Sequence, residues 1–206
     1  MDYGTKRAIT VGGLPLSGKG KNASLVSDAL KGSHWNIGKI IRADAQAYAQ
    51  LHGIPPEDAL SAHQQWRLKN PNYDIAIDRR QLDYVKAPGV HIFDSRLGGP
   101  LFYQLEQQGD KSISSLRFKL DVSDQEAARR LLLDTSRKER PVSIEHAVEM
   151  NTSRTATDHK LYLERYQISN FLDDKYYHQI IHTDQMSIND VTDAMLTLIK
   201  KWHASK

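Results

Sequence analysis

Short apolar segments alternate with longer amphipathic segments along most of this chain. Runs such as residues 8–11 and 90–93 are typical of strands buried on both faces of a sheet. The longer segments have helical spacing and end near turn residues such as Gly53. This alternation predicts a five-stranded parallel sheet with helices on both faces, an α/β three-layer sandwich. The predicted strands are 8–11, 35–37, 90–93, 116–120 and 179–182, and the predicted helices are 18–31, 40–52, 56–69, 75–86, 124–135, 143–166 and 187–202.

The composition is that of a folded protein without disulfide bonds. Its 206 residues match one ordinary domain, and 39% hydrophobic with 26% charged residues is close to the globular average. The absence of cysteine excludes thiol catalysis and cysteine-ligated zinc, and it fits a reducing compartment. No segment is apolar enough for a membrane span, and the first seven residues lack the apolar core of a signal peptide. We therefore expect one cytoplasmic, monomeric domain over residues 1–206.

The net charge of +3 is spread along the chain. This distribution suits small anionic ligands such as phosphates and does not favour a nucleic-acid binder. The nine histidines have no spacing that predicts a metal pair. We expect most of them, including His34, His52 and His63, at the surface.

A glycine-rich segment follows the first predicted strand and precedes the first predicted helix. It contains the pattern G-x-x-x-x-G-K as Gly13, Gly18 and Lys19. In this context the backbone N–H groups wrap a polyphosphate, the helix N-terminus adds positive potential, and the lysine neutralises the β- and γ-phosphates. The hydroxyl residue that usually follows the lysine is absent, because Gly20 and Lys21 occupy the next two places. The predicted nucleotide-binding residues are Gly13, Leu14, Pro15, Leu16, Ser17, Gly18, Lys19, Gly20 and Lys21.

Several segments outside this loop match ordered motifs of one kinase family. They are G-K-I-I-R at 38–42, I-D-R-R-Q at 77–81, F-D-S-R-L at 93–97, R-T-A-T-D at 154–158 and Y-H-Q-I-I-H-T at 177–183. Because these motifs follow one another in the same order, the chain resembles the nucleoside monophosphate kinases, and most closely the cytidylate kinases of the archaeal type. The resemblance implies a P-loop NTPase domain with an acceptor-binding helical insertion at about 39–87 and a lid at about 134–158.

The same resemblance implies roles for individual residues. Asp94, at the carboxyl end of an apolar strand, would hold Mg²⁺ through water. The implied catalytic residues are Lys19, Arg137, Arg154 and Asp158, and the implied acceptor-binding residues are Arg42, Asp78, Arg96 and Arg130.

These features predict transfer of the γ-phosphoryl group of ATP, with Mg²⁺, to a nucleoside monophosphate, in the first place CMP or dCMP. An acceptor phosphate is already anionic near neutral pH, so the site needs cations that align two polyanions rather than a general base. Lys21, Ala127 and Leu161 depart from the family pattern, the last two where arginines are expected. They leave open a catalytically weakened nucleotide-binding regulator and a P-loop kinase for another small acceptor.

Overall fold

Five parallel strands form the sheet of this computed structural model, which describes residues 6–109, 113–134 and 141–205. The strands are β1 (Lys6–Gly13), β2 (Ser33–Asn36), β3 (Gly89–Asp94), β4 (Ser114–Asp121) and β5 (Gln179–His182). Their order across the sheet is β2-β3-β1-β4-β5, and all neighbouring pairs are parallel. The carboxyl ends of the strands therefore meet at one edge, where open α/β sheets bind their ligands.

Helices cover both faces of the sheet, which confirms the predicted α/β class. They are α1 (Lys19–Leu30), α2 (Ile37–His52), α3 (Ala59–Lys69), α4 (Pro71–Tyr84), α5 (Gly98–Gln107), α6 (Asp124–Leu133), α7 (Ile144–Tyr166) and α8 (Ile188–Ala204). Helix α5 has no counterpart among the predicted helices. It opens on Gly98, Gly99 and Pro100, which by themselves favour a turn; proline is tolerated there because the first N–H groups of a helix have no intrahelical partner.

The core lies on both sides of β1, as the two-residue period of a strand requires. On one face, Ile9 is fully buried and belongs to the cluster that contains Val26 of α1 and Met195 of α8. On the other face, Phe93 of β3 packs with Phe102 of α5, at a ring-centroid distance of 5.4 Å. The central strand is thus enclosed, and the loop that follows it leaves from a rigid support.

Three helices, α2 to α4, connect β2 to β3 at the place of the implied insertion. Aromatic rings fill the interior of this part of the chain. The His63 ring lies 5.5 Å from the rings of both Tyr48 and Trp66, and 5.1 Å from that of Tyr73. His63 is 2% exposed, so the surface position expected for it is wrong. Neighbouring rings from all three helices bury it.

Part of the predicted lid lies outside the described residues. Positions 135–140, with Arg137, are among those that the structure does not describe, and α7 supplies residues 144–158 of the lid segment. The lid and the insertion stay predictions as functional units. No helix in the described ranges is long and apolar enough to cross a membrane.

We predict that His63 makes the insertion sensitive to acid. Burial, assisted by the nearby Arg67, lowers the pKa of His63 below its usual 6.5, although Asp44 and Asp74 oppose this. Protons then bind the unfolded chain more readily, so stability should fall as the pH drops through about 6.5, by at most about 1.4 kcal/mol per pH unit. The drop in Tm between pH 7.5 and 5.5 should be smaller in His63→Phe than in the wild type. The exposed His52→Phe should keep the wild-type difference, and an unchanged difference in His63→Phe would contradict the prediction.

Candidate functional site

The loop between β1 and α1 is curled, as a phosphate-binding loop requires. Ser17 donates its backbone N–H to the carbonyl of Leu14 at 3.3 Å, which closes a turn. Leu16 and Gly18 have φ values of 66° and 86°, and this left-handed backbone folds the chain back toward α1. The amides of successive residues in such a turn form a concave anion site at the start of a helix.

Gly13, the first glycine of the motif, is required by its backbone and by its neighbour. Its φ of 139° is one that side chains rarely adopt, and a Cβ there would lie 2.3 Å from the carbonyl oxygen of Leu120. Leu120 belongs to β4, so the loop passes directly over the end of the adjacent strand. The spacing of the motif therefore reflects close packing as well as turn chemistry.

Lys19, the first residue of α1, extends across the loop. Its Nζ donates a hydrogen bond to the carbonyl of Leu14 at 3.1 Å. The ammonium group is therefore held against the loop, at the positive end of a helix. A triphosphate bound to the loop amides would find this cation beside its outer phosphates.

Asp94 lies where β3 ends, next to the first turn of α1. A Cβ on Gly20 would lie 3.0 Å from Asp94 Oδ2, and the side chain of Asn36 donates a 2.6 Å hydrogen bond to the same oxygen. Burial raises the pKa of Asp94, while Lys19 is the strongest of the cations that lower it, ahead of His34. The carboxylate thus lies mostly buried, within the field of the loop lysine.

This position fits a magnesium ion that is held mainly by its nucleotide. Mg²⁺ is usually bound through one or two carboxylates, substrate phosphates and several waters. Across 6–109, 113–134 and 141–205, no three His, Asp or Glu side chains form a group that could hold a metal ion. Asp94 therefore fits the role of a single carboxylate beside a phosphate-bound ion, and not that of a protein cage.

Two of the predicted acceptor-binding arginines lie near Asp94. Arg96 and Arg42 both stabilise the charged form of this carboxylate, since each lowers the pKa of Asp94. Arg42 is exposed, and its guanidinium lies against Gly38, where a Cβ would be 3.4 Å from Nη1. Arg96 forms an ion pair with Asp158 of α7, and both side chains are largely buried. The structure thus places Lys19, Arg42 and Arg96 around Asp94, and it pairs Asp158 with Arg96.

Asp78 belongs to a second group of charges, between α4 and α7. The Tyr166 hydroxyl donates a hydrogen bond to Asp78, and Asp74 forms ion pairs with Arg67 and Arg165. Burial raises the pKa of Asp78 to about 6, against the lowering effect of Tyr166. These contacts tie the end of α7 to the insertion.

The remaining predicted residues are placed differently. Arg130 donates to the carbonyl oxygens of Leu16 at 3.1 Å and Thr183 at 2.7 Å, so it braces the phosphate loop against the segment after β5. These hydrogen bonds of Arg130 do not involve the helices of the insertion. Its role in acceptor binding stays a prediction. Arg154 is exposed on α7, and Arg137 lies outside the described residues.

Asn36 was not among the residues that the sequence indicated. It ends β2 and caps α2, with its side chain accepting a hydrogen bond from the N–H of Lys39 at 2.8 Å. The signal that was available is an asparagine directly before a helical segment, which is a preferred N-cap. Its second contact, to Asp94, joins residues 58 positions apart and leaves no local signal.

Comparison with solved structures agrees with this architecture. An uncharacterised protein from Eubacterium ventriosum is similar with a TM-score of 0.56 and 14% identity, over 94% of this chain and 98% of that one. A shikimate kinase from Bacteroides thetaiotaomicron gives a TM-score of 0.52 and 11% identity, over the same shares. This is the P-loop NTPase fold. At such low identity the likeness concerns the fold alone.

A shikimate kinase from Acinetobacter baumannii, in complex with shikimate, has a TM-score of 0.48 and 12% identity, over 97% of this chain and 95% of that one. No protein-family model matches the chain, and no curated protein matches it either.

We predict that Asp78→Asn stabilises the protein above pH 6. The native wild type must bury a charge there, because the pKa of Asp78 is raised from 3.8 to about 6. This penalty grows as the pH rises from about 4 to 6 and is then constant, at no more than about 3 kcal/mol. Asparagine can still accept from Tyr166 and carries no charge.

The measurement is Tm at pH 4 and pH 7.5. The increase in Asp78→Asn should be largest at pH 7.5 and small at pH 4. Asp83→Asn is the matched control, since Asp83 is 64% exposed on the same helix and should change Tm little. A lower Tm in Asp78→Asn at pH 7.5 would contradict the prediction.

Proposed function

We propose that this protein is a P-loop kinase that transfers the γ-phosphoryl group of ATP to a small anionic acceptor. The observation that carries the proposal is the group of cations around Asp94, which consists of Lys19 at the curled loop with Arg42 and Arg96 nearby. Phosphoryl transfer needs in-line positioning of two anions and neutralisation of the charge on the transferring group. Several cations grouped around one carboxylate would serve both needs.

The donor side consists of the phosphate loop, residues 13–21. Its amides and Lys19 would bind the triphosphate of ATP, and Asp94 would contact the ion through water. Bound Mg²⁺ would neutralise phosphate charge during transfer. Leu14, Pro15 and Ala127 line one cavity of about 340 Å³ beside the loop, so the region next to the phosphates has room for ligand atoms.

The acceptor side is proposed to bind a nucleoside monophosphate, with CMP or dCMP as the first candidate. Arg42 is exposed on α2, near the start of the insertion. Arg96 lies two residues after Asp94, just beyond the end of β3. Arginine binds phosphate oxygens in a bidentate fork, and a phosphate acceptor needs no base. When such a phosphate binds, Arg96 would either leave its ion pair with Asp158 or contact both anions at once. The base and the sugar rest on the family resemblance, as do roles for Asp78, Arg130, Arg137 and Arg154.

A hydroxyl acceptor is the second candidate. The shikimate kinase from Bacteroides thetaiotaomicron has the same fold, and its name indicates an acceptor with hydroxyl groups. A hydroxyl must lose a proton during transfer, and burial raises the pKa of Asp94 in the direction that a general base requires. In that case the Asp94 carboxylate would both contact the Mg²⁺ ion through water and accept the proton of the hydroxyl. A weakened nucleotide-binding regulator is a third reading, based on Lys21, Ala127 and Leu161.

We predict that Lys19→Ala lowers kinase turnover roughly 10²–10³-fold, the usual loss when one preorganised charge contact is removed. The assay follows ADP release with ATP and Mg²⁺ across nucleoside monophosphates, shikimate and other small hydroxy acids. Tm should stay near the wild-type value, because the Lys19 side chain lies at the cleft rather than in the core. Lys200→Ala, exposed on α8, should retain full activity. Wild-type turnover in a folded Lys19→Ala protein would exclude the proposal. ATP binding by the wild type, with no ADP release from ATP in the presence of any acceptor, would favour the regulator.

We predict that Arg42→Ala raises the KM for the acceptor roughly tenfold or more and leaves the KM for ATP nearly unchanged. A charge-assisted hydrogen bond contributes about 1.5–3 kcal/mol, which corresponds to such a factor. Gln50→Ala, exposed on the same helix, is the control and should leave both constants unchanged. An equal rise in both constants would argue against a separate acceptor site at α2.

A further inference from the structure

One side chain connects the two halves of the proposed site. Asn36 accepts a hydrogen bond from the N–H of Lys39 at 2.8 Å through its Oδ1, and it donates through Nδ2 to Asp94 at 2.6 Å. The first contact fixes the start of α2, which carries Arg42. The second fixes the carboxylate at the end of β3. The bond from Lys39 has a usual length, and the bond to the Asp94 carboxylate is shorter, as bonds to charged acceptors are.

Only an amide meets both demands at this position. The helix start offers a donor, the N–H of Lys39, and the carboxylate of Asp94 offers an acceptor. A carboxamide presents one acceptor and one donor group in a fixed plane, whereas an aspartate has no donor and a serine is too short to span both. A flipped Asn36 amide would set N–H against N–H and oxygen against oxygen, so the contacts themselves determine its orientation.

The atom that Asn36 holds is the one that faces the phosphate loop. A Cβ on Gly20 would lie 3.0 Å from Asp94 Oδ2 and 3.7 Å from Asn36 Nδ2. The loop itself has no hydroxyl at positions 20 or 21, so Asp94 and Asn36 form the polar surface beside this turn. The orientation of the carboxylate there depends on the hydrogen bond that it accepts.

The acceptor side lies on the other flank of the same amide. A Cβ on Gly38 would be 3.3 Å from Asn36 Oδ1 and 3.4 Å from Arg42 Nη1. The guanidinium of Arg42 is therefore packed over the capped first turn of α2. The position of this turn decides where Arg42 can reach.

We propose that Asn36 is a positioning residue that orients Asp94 toward the metal–nucleotide complex and, through the N-cap of α2, sets the place of Arg42. This inference rests on the proposed function and deepens it, since one amide sets the geometry of both substrate sites. Its two contacts make separate predictions, because a residue that keeps the cap can lack the donor to Asp94.

The first test compares Asn36→Ser with the wild type. Serine can still cap α2, but its hydroxyl does not reach Asp94. We measure ADP binding by calorimetry in Mg²⁺ and in EDTA, and the Mg²⁺ concentration for half-maximal kinase activity. Asn36→Ser should lose roughly tenfold in Mg²⁺-dependent ADP affinity, at unchanged affinity in EDTA and little change in acceptor KM. Ser33→Ala, three residues earlier on β2 and exposed, is the control.

The second test separates positioning from a general structural effect. In an Asp94→Asn background, Asn36→Ser should cause no further loss of Mg²⁺-dependent ADP affinity, because the group that it orients is gone. Asn36→Leu lacks both contacts and should raise the acceptor KM as well, whereas Asn36→Ser should not. Tm is recorded for every variant, so that a folding defect is recognised.

Additive losses in the double variant, or wild-type Mg²⁺ dependence in a folded Asn36→Ser protein, would overturn the positioning role while leaving the kinase proposal intact. A wild-type protein that binds no ADP in either condition would overturn the proposed function itself. Equal effects of Asn36→Ser and Asn36→Leu on acceptor KM would refute the separate action of the two contacts.

Discussion

The contact between the Asp94 carboxylate and the first turn of α1 is the interaction on which the site depends. It requires β1 and β3 to be parallel neighbours, since Asp94 and the phosphate loop then leave the sheet at the same edge. The packing is tight, since a Cβ at position 20 would lie 3.0 Å from Asp94 Oδ2. The result is a mostly buried acid near Lys19, at a place where charges interact more strongly than in water.

Helix α7 links this cleft to the insertion. Its Asp158 pairs with Arg96 at the cleft, and two turns later Arg165 pairs with Asp74 of α4. Residues seven positions apart lie on one side of a helix, so a single face of α7 makes both contacts. The neighbouring Tyr166 adds a hydrogen bond to the insertion. A shift of α7 would therefore move its contacts with both α4 and the arginine beside Asp94.

The fold itself does not select the acceptor. A shikimate kinase has the same architecture at 11% identity, and P-loop sheets carry many reactions on one strand order. In the proposed function, selection would come from side chains on the helices between β2 and β3, where Arg42 lies, and from the strand end that carries Arg96. In this chain those side chains include two arginines close to one carboxylate, which is the reason for placing an anionic acceptor first.

Local patterns of the chain determined its five described strands, seven of its eight described α-helices and the phosphate loop, because hydrophobic period and turn chemistry act between near neighbours. β5 occupies the predicted residues 179–182, and α1 begins at Lys19 as the motif requires. The tertiary structure alone decided the burial of His63 and the hydrogen bond from Asn36 to Asp94. These depend on which helices and strands lie side by side, and residues 58 positions apart meet only once the order of the sheet is set.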